Sequence, residues 1–169
     1  MLLKSIYDYL TDQGTVSPTA FETAAVVYGM TLSSRDDARR ELINRVGKNL
    51  FWWHTPSDVS GHSWIVLKNL SDSAELSTLG GYALRESTVQ IDCYCVGHQA
   101  AWRSQVCATL LELACHGFHG AKWGEVFIAS AEVVNTSGGI IDAPENVKKP
   151  IFVNSVDLQV KSNQPSTGY

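Results

Sequence analysis

The segment Thr88-Val89-Gln90-Ile91-Asp92-Cys93-Tyr94-Cys95 alternates without a break. Val89, Ile91, Cys93 and Cys95 point one way, and Thr88, Gln90, Asp92 and Tyr94 the other, which is the period of a half-buried strand. Across Val96-Gly97 the period changes. From about His98 to Cys115, Trp102, Val106, Leu110, Leu113 and Ala114 recur every three or four residues and predict one apolar helix face. A strand that enters a helix through so short a link folds back so that the two apolar faces meet. This strand-helix unit is the expected core, shared by Val89, Ile91, Cys93, Leu110 and Leu113. Upstream of it, Gly80 to Ser87 reads as a turn or an approach to the strand.

Toward the N-terminus, Leu2, Leu3, Ile6, Tyr9 and Leu10 have helical spacing, and residues 2–13 read as a helix ending near Gly14. In the stretch 15–33, Ser17-Pro18 suits the start of a short helix through Ala24-Ala25, interrupted at Gly29. Ser34-Arg35-Asp36-Asp37 reads as a helix start, with acidic residues where the helix dipole favours them. Ala38, Leu42, Ile43 and Val46 give its apolar stripe, and Gly47 ends it. Leu50-Phe51-Trp52-Trp53-His54 is aromatic and strand-like. Thr55-Pro56-Ser57-Asp58 reads as a loop, and Ser63–Leu70 as a second strand, apolar on both faces. Asn69 to Gly81 reads as a long connection.

Beyond the central helix, His116 to Gly124 is expected to be a glycine-punctuated loop and Val126–Val134 a fourth strand. Asn135 to Pro150, with Gly138-Gly139 and Ala143-Pro144, is expected to be a second long loop. Ile151–Val160 reads as a fifth strand, and the imperfect alternation of Val153–Leu158 allows a bulge there. The expectation is one α+β domain over residues 1–160: a mostly antiparallel sheet of four to five strands with helices packed on one face. Residues 161–169 read as a flexible polar tail.

Composition narrows the function classes. The 169 residues are 44% hydrophobic and 18% charged, with net charge −4. The negative balance does not fit a nucleic-acid binder held by a general basic surface. A low charge density suits a surface with many contacts to other subunits. No apolar run approaches the roughly 18 residues that span a bilayer, and Met1-Leu2-Leu3-Lys4 leads into an amphipathic segment, not an apolar leader. Cys93, Cys95, Cys107 and Cys115 are read as reduced thiols of a cytoplasmic product, the first two as small buried hydrophobes on one strand face.

Few residues suggest chemistry. Cys115, His116 and His119 are of metal-ligand types, but no second pair stands at ligand spacing. A polar turn after a helix accounts for them. Cys93-x-Cys95 lacks the Cys-x-x-Cys spacing of redox motifs. The Gly80-Gly81 and Gly138-Gly139 pairs are followed by no helix carrying a phosphate-loop lysine. No catalytic, cofactor or metal site is therefore assigned. Trp52-Trp53 is different. Neighbours on a strand face opposite sides, so one indole can enter the core and the other needs a further cover, from a helix or a neighbouring subunit. The pair is the candidate oligomer interface.

Several stretches together resemble the phage tail-completion family, the tail-terminator or head–tail joining proteins of long-tailed phages and prophages. Arg45-Val46-Gly47-Lys48-Asn49-Leu50-Phe51 leads from helix to strand. Ser63-Trp64-Ile65-Val66-Leu67 follows a Pro-containing loop. Arg85-Glu86-Ser87-Thr88-Val89-Gln90-Ile91-Asp92-Cys93-Tyr94 precedes a helix, and Asp142-Ala143-Pro144 precedes the last strand. The resemblance covers about residues 34–160. Residues 15–33 stand as an insertion relative to the family's single N-terminal helix.

The resemblance implies a structural subunit without enzymatic activity or cofactor, assembled into a ring, commonly a hexamer. Its partners would be other copies of itself, the tail tube protein and head–tail connector proteins. DNA would pass through the lumen without specific binding, and no membrane is involved. Such a protein belongs to the virion after assembly in the host cytoplasm. Two other classes stay open from the residues alone: a small thiol hydrolase using Cys107 or Cys115, and a monomeric protein-binding module.

Overall fold

The computed structural model describes residues 2–11, 20–53, 61–74, 84–141 and 149–163. The order of elements is α1 (Leu2–Thr11), β1 (Ala20–Val27), β2 (Met30–Ser34), α2 (Arg35–Val46), β3 (Leu50–Trp52), β4 (Ser63–Ala74), β5 (Leu84–Val96), α3 (Ala100–Cys115), β6 (Phe118–Trp123), β7 (Val126–Ile141) and β8 (Ile151–Asn163). The fold is α+β. Its main sheet has six strands in the order β3-β4-β5-β8-β7-β6, and β1 and β2 form a separate antiparallel pair. The sheet is thus larger than the expected four to five strands, and mixed, because β3 runs parallel to β4.

The central unit matches its sequence pattern. Val89, Ile91, Cys93 and Cys95 are buried along β5. They join Leu110, Leu111, Val106 and Ala114 of α3, and Val156, Leu158 and Val160 of β8, in one apolar layer (Cys95 at its margin). Between β5 and α3 the chain reverses through left-handed residues at Gly97 and Gln99. There the Arg103 guanidinium donates to the Val96 carbonyl at 2.5 Å. The stripe on α3 needs correction at two positions. Trp102 is exposed and Leu113 only half-buried, whereas Ser104, Cys107, Ala108 and Cys115 are buried. α3 lies between the sheet and α2, so it buries two faces instead of one.

The other helices also follow the sequence. Ser34 caps α2, its hydroxyl accepting from the Asp37 amide, and the Asp37 carboxylate accepts from the amide of Ser33, one residue before the cap. Gly47 ends α2, its N–H donating to the Ile43 carbonyl. α1 is tied in at Tyr9. Its ring stacks on Trp123 at 4.5 Å and meets Phe118 edge-on, and its hydroxyl donates to the Ala114 carbonyl. The buried Arg39 guanidinium donates to the Tyr9 carbonyl at 2.7 Å and pairs with Asp36.

Four segments differ from expectation. Residues 20–34 form a hairpin, not a helix, because the turn Tyr28-Gly29 takes left-handed φ at both residues, the geometry of a tight two-residue hairpin turn. The expected loop after Cys115 contains β6, fixed by the buried rings of Phe118 and Trp123. The two expected long loops begin as strand. β4 runs on to Ala74, and β7 runs on through Asn135 to Ile141. The bulges are not in β8, which pairs one-to-one with β5. They fall in other strands, with Leu70 the extra residue in β4 opposite β5, Ala129 and Val134 extra in β7 opposite β8, and a further irregularity in β1 between Ala20 and Ala25. Each bulge shifts the inside-outside alternation, so the long strands do not read as strands.

At the C-terminal end, residues 161–163 belong to β8 and not to the tail. The turn at Gly80-Gly81, the loop at 55–58, the Ser17-Pro18 and Asp142-Ala143-Pro144 motifs, His54 and residues 164–169 lie outside the described residues.

Candidate interaction surfaces

β7 changes character along its length. Residues 126–131 pair with β6 on the outer side, and Val126, Ile128 and Ala131 are buried. β6 ends at Phe118, and the imidazole of His116 takes over, its Nδ1 accepting from the Val133 amide at 3.1 Å. From Asn135 to Ile141, β7 pairs with β8 on one side and, among the described residues, with nothing on the other. Alternate amides and carbonyls along such an edge point outward, unpaired. Val133 to Ile141 carries no charge, and Val134, Ile140 and Ile141 are exposed. Beside this edge, α3 and β7 frame a cleft of about 190 Å³ lined by Gln105, Thr109, Glu112, Thr136, Ser137 and Gly138. Gly138 leaves room there for the Asn154 side chain. A Cβ at that position would stand 2.4 Å from the Asn154 side-chain oxygen, and Asn154 crosses β7 to donate to Ser104 Oγ at 2.7 Å.

The opposite edge of the sheet carries the tryptophan pair. β3 ends at Trp52, and Trp53 turns left-handed (φ 66°). The expectation that one indole enters the core is overturned. Trp52 is 40% and Trp53 57% exposed, because the left-handed turn breaks the strand alternation. Trp52 meets Tyr7 of α1 edge-on at 5.7 Å. Both indoles line a cleft of about 250 Å³ with Leu2, Leu3, Lys4, Asn69 and Asp72.

The sheet face away from the helices is polar and closed on itself. The Lys68 ammonium and the Tyr94 hydroxyl both contact Asp92 Oδ2, at 2.5 and 3.1 Å, and the Ser155 hydroxyl donates to Asp92 Oδ1 at 2.6 Å. The Trp64 ring stacks on Tyr94 at 5.4 Å. The hydrogen bond to Asp92 raises the Lys68 pKa, against a smaller opposing effect of burial. Burial, followed by the Asp92 charge, raises that of Tyr94. Asn135 and Asp157, and Gln159, Lys161 and Glu86, continue this pattern outward.

The four thiols are buried and unpaired. Burial raises Cys93, and pushes Cys115 up to about 12 despite the opposing charge of Arg35. Between Cys95 and Cys107, the hydrogen bond from Cys107 lowers Cys95 and holds the proton on Cys107, whose pKa is raised. Ser63 Oγ also lies 3.1 Å from Cys95 Sγ. Cys107 and Cys115, the residues a thiol hydrolase would use, are 2% and 1% exposed. Cys115 faces the core, and His116 bonds the backbone of β7. Among the described residues no group of three His, Cys, Asp or Glu is placed to hold a metal ion. No helix among them is long and apolar enough to cross a membrane.

Trp52 and Trp53 were visible in the sequence as surface candidates. Val134, Ile140 and Ile141 were not, because Asn-Thr-Ser-Gly-Gly between them has loop composition. The available signal was nine uncharged residues from Val133 to Ile141, ending in two isoleucines.

No protein-family profile matches the chain, and no curated protein matches it. Among solved structures, the fold is similar to a chain in the virion of a native gene transfer agent particle. The TM-score is 0.52 at 8% identity, over 73% of this chain and 84% of that one. At that identity the likeness is one of fold.

Proposed function

We propose that this chain is a structural subunit of a phage-like virion, and specifically a ring subunit at the head–tail junction or the head-proximal end of the tail tube. The observation that carries the reading is the fold shared with a chain of a gene transfer agent virion over most of both chains. Two features support it. Leu70, Trp102 and Phe127 apart, the exposed large apolar side chains lie at the β3 and β7 edges and on the hairpin, where a neighbour can cover them. Among the described residues, β7 from Asn135 to Ile141 is paired on its β8 side only, and an open strand edge suits an assembly contact. In this reading the ring, a hexamer by the family resemblance, contacts the tail tube protein and the connector. The net charge of −4 suits a lumen through which DNA slides without sticking. Trp52 and Trp53 are assigned to an assembly contact.

The test uses the purified chain, alone and with tail tubes, followed by analytical ultracentrifugation and electron microscopy. The expected result is a multimer, or tubes capped at one end. Trp53→Glu is expected to lower the multimer or capped population while the far-ultraviolet circular dichroism stays unchanged. Normal capping by the variant removes the Trp53 assignment. A wild-type chain that never associates with itself or with tubes, even at high concentration, removes the ring reading in favour of a monomeric binding module.

A further inference from the structure

Of the four thiols, two stand against each other. Cys95 lies next to the end of β5, and Cys107 lies on α3, the helix packed over that strand. Their side chains share a hydrogen bond, and both are buried and free of any disulfide. Helix and sheet are close in this region. Ser104 of α3 accepts from Asn154 of β8 at 2.7 Å, and Asn154 stands opposite Cys93 in the β5–β8 register. Cys107 is about one helical turn from Ser104, and Cys95 is the next residue on the Cys93 face of β5. Ser104, Cys107 and Ala108, all buried, are small, which lets α3 come near the sheet. The Cys95 sulfur has further neighbours. Ser63 Oγ lies 3.1 Å from it, and the Arg103 guanidinium is held nearby by its bond to the Val96 carbonyl.

We propose that Cys95 and Cys107 are an oxidisable pair, which a peroxide converts into a disulfide strapping β5 to α3. The strap does not depend on ring assembly. Its two members have different parts in the reaction. The hydrogen bond from Cys107 is the main reason that the Cys95 pKa falls to about 7, against the opposing effect of burial, and Ser63 and the Arg103 charge act in the same direction. Cys95 is therefore the attacking thiolate, and Cys107, which holds the shared proton, is the resolving thiol. Burial keeps the proton on Cys93 and Cys115. Both sulfurs of the pair are shielded from solvent, so the oxidant has to be small, and a peroxide meets that requirement. The Cys95 thiolate attacks one peroxide oxygen and the O–O bond breaks. The leaving hydroxide takes up the proton that Cys95 had released and departs as water, with Cys95 left as a sulfenic acid. Cys107 then attacks the Cys95 sulfur. The S–O bond breaks, and the hydroxide leaves with the Cys107 proton as a second water. Two electrons pass from the thiol pair to the peroxide, and no other reactant is needed.

The native wild-type chain is treated with hydrogen peroxide, and its disulfides are mapped by peptide mass spectrometry without reduction. The expected product is one intramolecular disulfide between Cys95 and Cys107, with Cys93 and Cys115 still free. Its urea midpoint is expected to lie above that of the reduced chain and to return after dithiothreitol, since the bond closes a loop between strand and helix. Cys95→Ser and Cys107→Ala are each expected to abolish the linkage, and Cys93→Ser to keep it. Far-ultraviolet circular dichroism establishes that each variant folds, and where one does not, the wild-type map decides alone. A disulfide through Cys93 or Cys115 would overturn the proposal. So would a Cys95 that ends as sulfinic acid beside a free Cys107, or thiols that react only in denaturant. A Cys95–Cys107 bond that lowers the urea midpoint would show that the pair oxidises without strapping the fold, and the proposal falls there too.

Discussion

β7 holds two environments in one strand. Its first half, Val126 to Ala131, is paired on both sides and sends Val126, Ile128 and Ala131 into the core. Its second half, Asn135 to Ile141, keeps the same pairing with β8 but has no outer partner among the described residues, and its side chains are exposed. Backbone pairing alone does not make a strand part of the core. The change takes place where β6 stops, at the His116–Val133 bond and the Val134 bulge. On one side of that point sequence is constrained by packing, and on the other by whatever the edge meets.

The largest expected difference between the halves comes from truncating an isoleucine in each. Ile128→Ala removes a fully buried side chain and is expected to cost about 2–5 kcal/mol in denaturant unfolding, as is Leu110→Ala behind it. Ile140→Ala removes a side chain 64% exposed and is expected to stay within about 0.5 kcal/mol. Equal losses at Ile128 and Ile140 would erase the distinction.

A sharper contrast lies between adjacent glycines. Gly138→Ala puts a methyl group against Asn154 and threatens its bond to Ser104, an expected loss of about 1–3 kcal/mol. Gly139→Ala meets nothing within 4 Å. It is expected to be neutral, or stabilising by up to about 1 kcal/mol, through the unfolded chain. Similar melting temperatures for the two would mean that Asn154 does not lie over β7 in solution.

The smallest effect concerns polar residues that are already paired, in contrast to the open Thr136 and Ser137. Lys68→Met removes the ammonium from Asp92, which keeps Tyr94 and Ser155, and is expected to cost about 0.5–1 kcal/mol at neutral pH. Asp92 raises the Lys68 pKa, so the contribution is whole below the ordinary ammonium value of 10.5 and fades as pH rises through the higher folded value. The gap between wild type and variant should close in strongly alkaline buffer. A gap that widens there would contradict the pairing.

What could be read in the sequence follows the same division. The β5-α3 unit was legible because one buried face leaves a clean period: Val89, Ile91, Cys93 and Cys95 on the strand, Val106, Leu110 and Ala114 on the helix. Capping chemistry made α2 legible at Ser34 and Gly47. The far half of β7 was not legible, because an exposed strand has no apolar period and its bulges shift what period exists. The hairpin was misread because Ala24-Ala25 favour a helix, while the pairing of Val26 with Thr31 and Val27 with Met30 across Tyr28-Gly29 settles the strand. Of the candidate surfaces, the tryptophan pair was visible as residues, but its geometry depended on the left-handed Trp53, which composition does not reveal.

The seating of α1 has a consequence for synthesis. Tyr9 bonds Ala114, 105 residues further on, and stacks on Trp123. At ribosomal rates of about 5–20 residues per second, α1 waits on the order of ten seconds for Ala114 and Trp123. During that time Leu2, Ile6 and Leu10, all buried in the finished fold, can have only the cover that α2 and β4 supply. α1 is therefore made well before its last contacts can form.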